Sequence, residues 1–596
     1  MKKLFLSLGL IVLCGLAAMA DCTVFYTGTY SKPYVYAWTN GGEMTWPGKA
    51  MTKTNFTYSD GTNTSDIWSY TLSANYSFAI FSNNGSPQTS NLSCDCGKLY
   101  VESKDEWIDY AGTGNVLDTA QAVIVDTHGK VVPIESEDIM LQGFYWDSDK
   151  SDAPYGRTKW IDLLADSSSL ANFDIIWLPS PVRSSGGLGY HPTQWSSFDS
   201  GLGTNVNLLK LIAALHRADT KVVADIVVNH RANSNDWCSF FPDNFGSDYA
   251  SPSSPTGNYQ FTAEHIVSDD EAFSDTKSSC YGSTIHGAPD SGTEPWTGAR
   301  DLDHTNPYVQ DAVKSYLAFL QNVAGFDGWR YDLVKSYAPK YLEMYNLASM
   351  PYISVSEYWD GLAAVKSYLR RTNYHTMAFD FPMKFKAFNQ GIQTGAYGNL
   401  KSSTGEKLSR AEGLSRYAVT FIDNHDTFKR GDRNEFCDGT GAGKSLSNTA
   451  NHAKVLEANA YLLSMPGLPC VFYPHWVTFR SQIKKLMQAR RIAGIHSESE
   501  VTDETSATNS YSAVVHGKHG TLLLRLGTAR DTTTPQGYVL YTSGERYSVY
   551  LNITDGTWND LEQVTSAPAA TKLMENGTVV ILRDGKRYSV LGQPIE

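Results

Sequence analysis

Eight short apolar runs alternate with longer amphipathic segments over residues 138–496, and this alternation constrains the fold of the 596-residue chain more than any other feature. The segments between the runs, such as LLKLIAALHRA, carry apolar residues at helical spacing. Strands that alternate with helices predict a parallel sheet, and eight such units predict a closed (β/α)8 barrel of the TIM type. A doubly wound open sheet is the alternative, although no Gly-x-Gly-x-x-Gly segment opens a helix here. The eight runs are IMLQGFYW, FDIIWLP, KVVADIVV, GWRYDLV, ISVSEYW, TMAFDF, AVTFIDNH and PCVFYP.

The rest of the chain lacks this alternation of strand-like and helical segments. Residues 231–300, which follow the third run, are rich in Ser, Asp, Gly and Asn and are too long for an unstructured loop, so we predict an inserted subdomain. Short strand-like runs predict an N-terminal β-sandwich over residues 21–103 and a C-terminal antiparallel β-sandwich over residues 497–596. Residues 104–137 are expected to connect the first sandwich to the barrel.

The N-terminus has the features of a secretory signal. Two lysines, an apolar run and the segment Ala18-Met19-Ala20 predict cleavage after Ala20 and therefore a secreted protein, extracellular or periplasmic. A membrane anchor fits less well, because the run is short and no basic residues follow it. Cleavage leaves seven cysteines, so at least one is a free thiol or pairs between molecules. Cys238 and Cys280, both in the insertion, form a sensible disulfide pair.

Composition narrows the possible partners. The formal net charge of −13 argues against nucleic acid or an anionic membrane as a partner. No segment after the signal has an apolar run of membrane length. Aromatic residues make up 12% of the chain, and flat rings are useful where the face of a sugar must be stacked upon.

Polar residues gather where four of the predicted barrel strands end. Active sites of such barrels collect at the carboxyl ends of the strands. Any one acid there is often a helix cap, and a His–Asp pair is often structural, but the joint occurrence is hard to explain as independent caps. Side chains two residues apart on a strand also point to the same face. The clusters are Asn229 and His230 on the third strand, Arg330 and Asp332 on the fourth, Glu357 on the fifth, and His425 and Asp426 on the seventh.

Paired carboxylates favour one kind of chemistry. The chain has no Gly-x-Ser-x-Gly elbow, no paired thiolates and no His-x-x-x-His helix. The segment DGTGAGKS (438–445) imitates a phosphate-binding loop but has aspartate in place of the first glycine. Two carboxylates without a thiolate or a dinucleotide site suit glycoside hydrolysis, in which one acts as nucleophile and the other as acid/base.

At this point a resemblance becomes specific. The strings DIVVNH, GWRYDLVKS, SEYW and FIDNHD resemble, in this order, the four signature segments of the α-amylase family of barrel hydrolases. MLQGFYWDS, GLGYHPTQW, DLDHTNPYVQ and ARRIAGIHSESEV are similar to plant-type members and their bacterial relatives. The resemblance implies a retaining endo-α-amylase that acts on internal α-1,4 bonds of starch, glycogen and maltooligosaccharides.

The resemblance also implies residue roles. Asp332 would be the nucleophile, Arg330 would keep it ionised by lowering its pKa, and Glu357 would be the acid/base, with a pKa raised by desolvation. Retention predicts nucleophile and acid carboxyls about 5 Å apart. Asp426 would grip sugar hydroxyls at the transition state. The other substrate-binding residues implied are His230 and His425 through hydrogen bonds, Tyr190 by stacking, and Lys335.

A structural calcium ion is implied between barrel and insertion. Asn229, Asp301 and the main-chain carbonyl of Ser336 match ligand positions of the family, and Asp290 is expected to supply a further carboxylate although the insertion differs from the family pattern. Ligation by oxygen alone suits calcium.

The N-terminal segment resembles a small starch-binding β-sandwich. The strings YVYAWTNGGEMTWPG and FAIFSNNGSPQTSNL carry the resemblance. Tyr34, Tyr36, Trp38 and Gln88 are the residues expected to contact glucose units. The alternative for each aromatic residue is a place in the core of the sandwich, and the register of the strands decides between the two.

Rival functions stay open on the sequence. Within the same chemistry, the chain could be an exo-acting maltooligosaccharide-forming enzyme, a neopullulanase-like enzyme or a transglycosylase, since loops around the cleft determine specificity. A non-catalytic glucan-binding protein on the same scaffold is the rival from another class, but the three carboxylates are all present. We expect a monomer.

Overall fold

The protein folds into two compact units, Met1–Asp126 and Thr127–Glu596. The structure is a computed structural model, and it describes residues 22–39, 42–59, 64–72, 76–95, 97–104, 106–110, 116–117, 131–232, 236–294, 296–404, 406–428, 436, 446, 448–554, 571–575, 578–583, 586–588 and 594–595. The predicted signal, residues 1–20, lies outside the described residues, as does the phosphate-loop imitation at 438–445.

The N-terminal unit is a β-sandwich, as predicted. One sheet joins Glu106–Asp109, Lys98–Val101, Cys22–Thr27, Thr64–Leu72, Thr52–Ser59 and Val116–Leu117, in that order. The second joins Gly42–Glu43, Tyr34–Thr39, Phe78–Ser82 and Leu92–Ser93, and Lys49–Ala50 also pairs with Tyr34–Thr39. Alternate residues of both sheets, such as Val24, Tyr26, Val35 and Phe81, form the buried core between them.

The boundary predicted for this unit at residue 103 is too early. Glu106–Asp109 pairs antiparallel with Lys98–Val101, and Val116–Leu117 pairs with Thr52–Ser59. Both strands fall in the segment that we expected to be a linker over residues 104–137. These strands of four and two residues are too short to show an alternating pattern in the sequence.

All eight predicted barrel strands are present and close into one parallel barrel. Each strand pairs with the next along the chain, and the eighth pairs with the first. The barrel is therefore confirmed and the open sheet is excluded. The strands are β1 (Met140–Gln142), β2 (Ile175–Leu178), β3 (Lys221–Ile226), β4 (Gly328–Tyr331), β5 (Ser354–Ser356), β6 (Met377–Phe379), β7 (Ala418–Phe421) and β8 (Leu468–Phe472).

Helices follow the strands because each has an apolar face to cover the barrel. In Asn205–His216 the buried residues Leu208, Leu211, Ile212 and Leu215 recur every three or four positions, and the Thr204 side chain caps its first turn. Further helices in the described part of the barrel include Trp160–Ala165, Ser167–Leu170, Pro307–Phe319 continued by Leu320–Ala324, Pro339–Ser349, Leu362–Arg371, Phe381–Met383 continued by Lys384–Ile392, His452–Ser464 and Tyr473–Ala493.

The predicted insertion leaves the barrel after β3. Its two ends are joined where His230–Arg231 pairs with Arg300–Asp301, and a second small hairpin pairs Asp243–Asn244 with Asn258–Tyr259. The expected disulfide between Cys238 and Cys280 is present. Its remaining helical elements are single turns at Ser247–Tyr249, Ala263–His265 and Glu271–Phe273. The insertion is thus a subdomain with its own contacts rather than an unstructured loop.

Two antiparallel sheets make up the C-terminal segment, in agreement with the predicted β-texture. The first joins Val501–Ala507, Ser510–His516, Gly520–Leu526, Tyr547–Ile553 and Val539–Ser543, in that order. The second joins Thr571–Glu575, Thr578–Arg583, Lys586–Tyr588 and Pro594–Ile595. A buried ion pair links the first sheet to a barrel helix, because Arg546 Nε contacts Glu457 Oε2 at 2.5 Å. Among the described residues, no helix has the length and apolar character needed to cross a membrane.

Candidate active site

Three acidic side chains from separate strands line one cavity of about 490 Å³ at the carboxyl ends of the barrel strands. Asp332 directly follows β4, Glu357 directly follows β5, and Asp426 lies in the loop after β7. The parallel topology explains why they meet, since it brings the carboxyl ends of all eight strands to one rim. The predicted residues Tyr190, His230 and His425 line the same cavity.

Arg330 is the electrostatic centre of the site. Its side chain is 1% exposed, and its Nη1 donates to Asp332 Oδ1 at 2.8 Å and to Asp225 Oδ1 at 2.8 Å. Its Nη2 lies 2.9 Å from Glu357 Oε2, although it is not aligned for a hydrogen bond. The guanidinium also lies over the ring of Trp177. The single positive charge of Arg330 is therefore shared among three carboxylates.

Burial and mutual repulsion raise the pKa of both proposed reacting carboxyls. The pKa of Asp332 is raised to about 6, because desolvation and the neighbouring Asp225 and Asp426 outweigh the stabilising charge of Arg330. Arg330 lowers the pKa of Asp332, as expected, but burial and the two neighbouring carboxylates raise it by more. The pKa of Glu357 is raised to about 8 by desolvation, with repulsion from Asp332 and Asp426 added. The pKa of Glu357 thus lies above that of Asp332, so a proton shared by the pair resides on Glu357.

Aromatic rings form one wall of the cavity. The rings of Tyr190 and His425 are parallel, with centroids 5.1 Å apart, and Trp146 lies parallel to both. Gln142 Nε2 lies 3.0 Å from His425 Nδ1, so this nitrogen accepts and the Nε2–H of His425 faces Asp426 Oδ2 at 3.2 Å. Tyr190 is held in turn, because its hydroxyl donates to Asp225 Oδ2 at 2.9 Å.

His230 lies between the barrel and the insertion. Its Nε2 donates to the main-chain carbonyl of Tyr190 at 2.9 Å, and burial lowers its pKa to about 3, so the ring is neutral. Trp296, from the insertion, stacks on this ring with centroids 3.9 Å apart and lines the same cavity. The insertion thus closes one side of the site with an aromatic side chain.

Lys335 does not line the cavity. Its Nζ lies 3.1 Å from Asp360 Oδ2 and 3.3 Å from Glu294 Oε2, and it lies over the ring of Tyr358. These contacts connect the loop after β5 with the insertion. The sequence prediction placed Lys335 among substrate-binding residues, and the structure instead gives it two carboxylate partners outside the cavity.

Two of the predicted calcium ligands are in direct contact. Asn229 Nδ2 donates to Asp301 Oδ1 at 2.9 Å. Burial raises the pKa of Asp301 to about 8, and repulsion from the carboxylates of Asp270 and Asp290 adds to the shift. Asp270 is paired with the buried Arg300, so Asp301 and the half-buried Asp290 are the carboxylates whose negative charge a cation would neutralise.

The fourth ligand position adjoins the same cluster. Asp290 Oδ1 accepts from the main-chain N–H of Gly292 at 2.8 Å, and a Cβ on Gly292 would come within 2.6 Å of the Ser336 carbonyl oxygen. In the described part of the chain, no three His, Cys, Asp or Glu side chains converge as a metal-binding group. The oxygen donors would therefore have to include the Asn229 amide and the Ser336 main-chain carbonyl, as the predicted set does.

The N-terminal aromatic candidates lie on the outer face of their sheet. On strand Tyr34–Thr39, Val35 and Ala37 are buried in the core, whereas Tyr34, Tyr36 and Trp38 are half-buried on the opposite face. The core alternative is therefore excluded for these three residues. Gln88 is exposed and bridges to Ser82, which pairs with Tyr34.

Two further aromatic residues extend this outer face. Trp46, 47% exposed, meets the ring of Tyr36 edge-on at 5.2 Å, and Phe78, 41% exposed, stacks on Trp38 at 5.4 Å. Sequence reasoning did not single them out, although Trp46 lies within the string YVYAWTNGGEMTWPG. Together with Tyr36 and Trp38 they form a continuous aromatic surface.

Sequence reasoning also missed three residues of the barrel site. Asp225 is a charged residue inside the apolar run KVVADIVV, and that is a signal that could have been used. Trp146 ends the first run, next to the predicted strand end. Trp296 carries no signal, because its place opposite His230 depends on how the insertion folds.

Comparisons with known proteins identify the family of this chain. Residues 169–505, more than half of the chain, match the family model described as alpha amylase, catalytic domain, and residues 492–550 match the alpha-amylase C-terminal beta-sheet domain. The chain is 28% identical over 399 residues to alpha-amylase 3, chloroplastic, from Arabidopsis thaliana, covering 64% of this chain but only 40% of that protein. It is 29% identical over 441 residues to probable alpha-amylase 2 of the same plant, covering 71% and 95% of the two chains. A glucan 1,4-alpha-maltotetraohydrolase from Roseateles saccharophilus is 26% identical over 431 residues, covering 65% and 68%.

Proposed function

Since this chain belongs to the α-amylase family of glycoside hydrolases, we propose that it is a retaining endo-α-amylase that cleaves internal α-1,4 bonds of starch and glycogen. The observation that carries the proposal is the meeting of Asp332, Glu357 and Asp426 around one cavity. The substrate class follows from the relatives named α-amylases, together with the aromatic wall that suits a sugar ring.

The two reacting carboxyls have the protonation states that a double displacement needs. Ionised Asp332 attacks the anomeric carbon, while Glu357 gives its proton to the leaving glycosidic oxygen, so that the bond breaks and a glycosyl ester forms. Glu357, now ionised, then takes a proton from water, and the resulting hydroxide equivalent releases the sugar from Asp332. Both groups return to their initial states, and the anomeric configuration is retained.

The other cavity residues bind and orient the sugar. Tyr190 presents its ring as a stacking surface, and its hydroxyl bond to Asp225 holds that ring in place. The Nε2–H of His425 faces Asp426, so this carboxylate is oriented toward the cavity where sugar hydroxyls would lie. His230 is neutral and buried, and its Nε2–H bond to the Tyr190 carbonyl holds the segment that carries the stacking ring.

Three single variants test the proposed mechanism. Asp332→Asn, Glu357→Gln and Asp426→Asn should each lower kcat on amylose by at least about a thousandfold. Asp162→Asn, an acid on the outer helix Trp160–Ala165, is the matched control and should retain activity. Proton NMR of the first product should show the α-anomer. A first-formed β-anomer, or full activity in any of the three variants, would refute the assignment.

A calcium ion at Asn229, Asp290, Asp301 and the Ser336 carbonyl is part of the proposal. Buried, mutually repelling carboxylates and oxygen-only donors support it. When bound, the ion would supply positive charge that neutralises this cluster and fastens the insertion to the barrel. The chain's own residues carry out every chemical step.

The N-terminal unit is proposed to bind starch, and the chain is proposed to be secreted as a monomer after cleavage behind Ala20. The aromatic surface formed by Tyr36, Trp38, Trp46 and Phe78 supports the first point, because sugars stack on exposed rings. The disulfide in the insertion supports export, since such bonds persist in oxidising compartments.

A maltooligosaccharide-forming enzyme is the second candidate, because one relative is named a maltotetraohydrolase. The two functions differ in their products. An endo-acting enzyme should cut a maltoheptaoside blocked at its non-reducing end and release mixed products early, whereas an exo-acting enzyme should leave the blocked substrate intact and release one product.

A further inference from the structure

The loop that carries Asp426 into the cavity begins with a polar turn, Asp423–Phe428, just after β7. Asp423, Asn424 and Thr427 are each at most 2% exposed and do not line the cavity. The side chain of Asp426, by contrast, is 28% exposed and lines the cavity. Three buried polar side chains therefore lie directly behind the carboxylate that faces the sugar. We call these three side chains the turn core.

Hydrogen bonds from the turn core fix the main chain at Asp426. Asn424 Oδ1 accepts from the main-chain N–H of Asp426 at 3.0 Å and from that of Thr427 at 2.8 Å. The Thr427 hydroxyl accepts in turn from the main-chain N–H of Asn424 at 3.0 Å. Asparagine and threonine side chains often hold turns through such bonds. The position of Asp426 is therefore set by groups that lie outside the cavity.

A buried ion pair anchors the turn core to the segment that follows β6. Asp423 Oδ1 accepts from Thr427 Oγ1 at 3.0 Å and from Lys384 Nζ at 2.7 Å. The side chains of Lys384 and Asp423 are both fully buried. Leaving either charge buried and unpaired is costly, so the pair resists any shift of the turn relative to Lys384.

Lys384 is the cation that balances Asp423. His475 Nε2 lies 3.9 Å from Asp423 Oδ2, but burial lowers the pKa of this histidine to about 4, so its ring is neutral at pH 7. The main-chain N–H of Phe436 also donates to Asp423 Oδ1, at 3.2 Å. Asp423 thus has one charged partner and several neutral donors, and Thr427 is the donor that belongs to the turn itself.

We propose that the turn core and Lys384 are positioning residues, which hold the Asp426 carboxylate where it contacts the sugar at the transition state. This role rests on the proposed function, in which Asp426 acts on the sugar hydroxyls. Groups that act on a substrate must be held to within about 0.5 Å, and a misplacement of about 1 Å can lower a rate about a hundredfold. Loosening the turn should lower kcat and leave KM nearly unchanged, because Asp426 acts chiefly at the transition state.

Thr427→Val in the full-length chain tests this role. The change removes the hydroxyl and its two hydrogen bonds but leaves the ion pair of Asp423 and Lys384 in place. We expect kcat on maltoheptaose to fall about ten- to thirtyfold, with KM within about twofold of the wild type. Thr427→Ser keeps the hydroxyl and should stay within about threefold of the wild-type kcat.

Thr372→Val is the matched control. It makes the same change at another buried threonine, whose hydroxyl donates to the main-chain carbonyl of Leu369 in the helix Leu362–Arg371. This variant should keep the wild-type kcat. An equal loss of kcat in Thr372→Val and Thr427→Val would overturn the positioning role, because it would show a general effect of losing a buried hydroxyl.

A double-mutant cycle separates positioning of Asp426 from a general loss of structure. When Thr427→Val is added to Asp426→Asn, the residual kcat in long incubations should fall by less than about twofold, since the positioned carboxylate is already absent. Losses that multiply would overturn the positioning role, as would a Thr427→Val enzyme with normal kcat or with its loss in KM alone. Asn424→Ala, which removes the acceptor for the Asp426 N–H, should behave in the same way and decides the matter if Thr427→Val fails to fold. Full activity in Asp426→Asn alone would instead refute the proposed function.

Discussion

Replacing Asp225 with asparagine removes a negative charge from the centre of the site and should shift the pH profile. Asp225 and Asp332 each lie 2.8 Å from the same Arg330 nitrogen, so their oxygens are at most about 5.6 Å apart. At an effective dielectric constant of about 20, two unit charges at that distance repel by about 3 kcal/mol, which is about two pKa units. The pKa of Asp225 is itself raised to about 6, chiefly by burial, so it is only partly ionised where Asp332 titrates. We therefore expect a shift of about one unit.

The direction of the shift follows from the sign of the interaction. Asp225 raises the pKa of Asp332, and that carboxyl must be ionised to react, so its removal should move the acid limb of kcat/KM down by about one pH unit. The rate at the optimum should also fall, because Tyr190 loses an ionised acceptor. Asp380→Asn, another buried carboxyl but one that caps main-chain N–H groups, is the control and should leave the limb in place. An acid limb that stays fixed or moves up in Asp225→Asn would refute this account of the charges.

Three further predictions concern stability and binding. Glu457→Gln should lower the stability of the catalytic unit by about 3 kcal/mol, because Arg546 loses its buried partner, and the thermal midpoint should fall. Glu545→Gln, at an exposed neighbouring position, is the control and should leave the midpoint unchanged. Chelation of calcium should lower the thermal midpoint of the wild type, and Asp301→Asn should lower it without any chelator. An unchanged midpoint in both experiments would contradict the proposed calcium site. Trp38→Ala, or deletion of residues 21–126, should weaken adsorption to granular starch more than hydrolysis of a short soluble oligosaccharide, and equal losses would count against the starch-binding assignment.

The barrel could be predicted because its signal is local and repeated. Each of the eight runs is apolar over several residues, and each is followed by a segment with helical spacing, so errors in single elements would not have changed the count. The meeting of Asp332, Glu357 and Asp426 then follows from topology alone, since parallel strands bring their carboxyl ends together. The strands Glu106–Asp109 and Val116–Leu117 are short and belong to no repeat, so the predicted boundary of the N-terminal unit at residue 103 was too early.

The features that could not be predicted from the sequence depend on packing between segments that are far apart in the chain. Trp296 reaches His230 only through the fold of the insertion, and Lys335 finds Glu294 and Asp360 from two other segments. The net pKa of Asp332 also depends on packing between distant segments. Its partner Arg330 is visible two residues away, but the depth of burial and the approach of Asp225 from β3 are not.

The arrangement around Arg330 also explains why an acid and a nucleophile can stand side by side. Asp225, Asp332 and Glu357 share one guanidinium, so full ionisation would leave a net charge of about −2 in a desolvated place, which is costly. Protonation of one carboxyl lowers this charge, and the proton goes to the carboxyl with the highest pKa. That carboxyl is Glu357, whose pKa is raised to about 8. The proton that the reaction needs is therefore retained by desolvation of Glu357, to which the repulsion among the carboxylates adds. Any change that weakens this repulsion, such as Asp225→Asn, should lower the pKa of Glu357 along with that of Asp332 and move both limbs of the profile in the same direction.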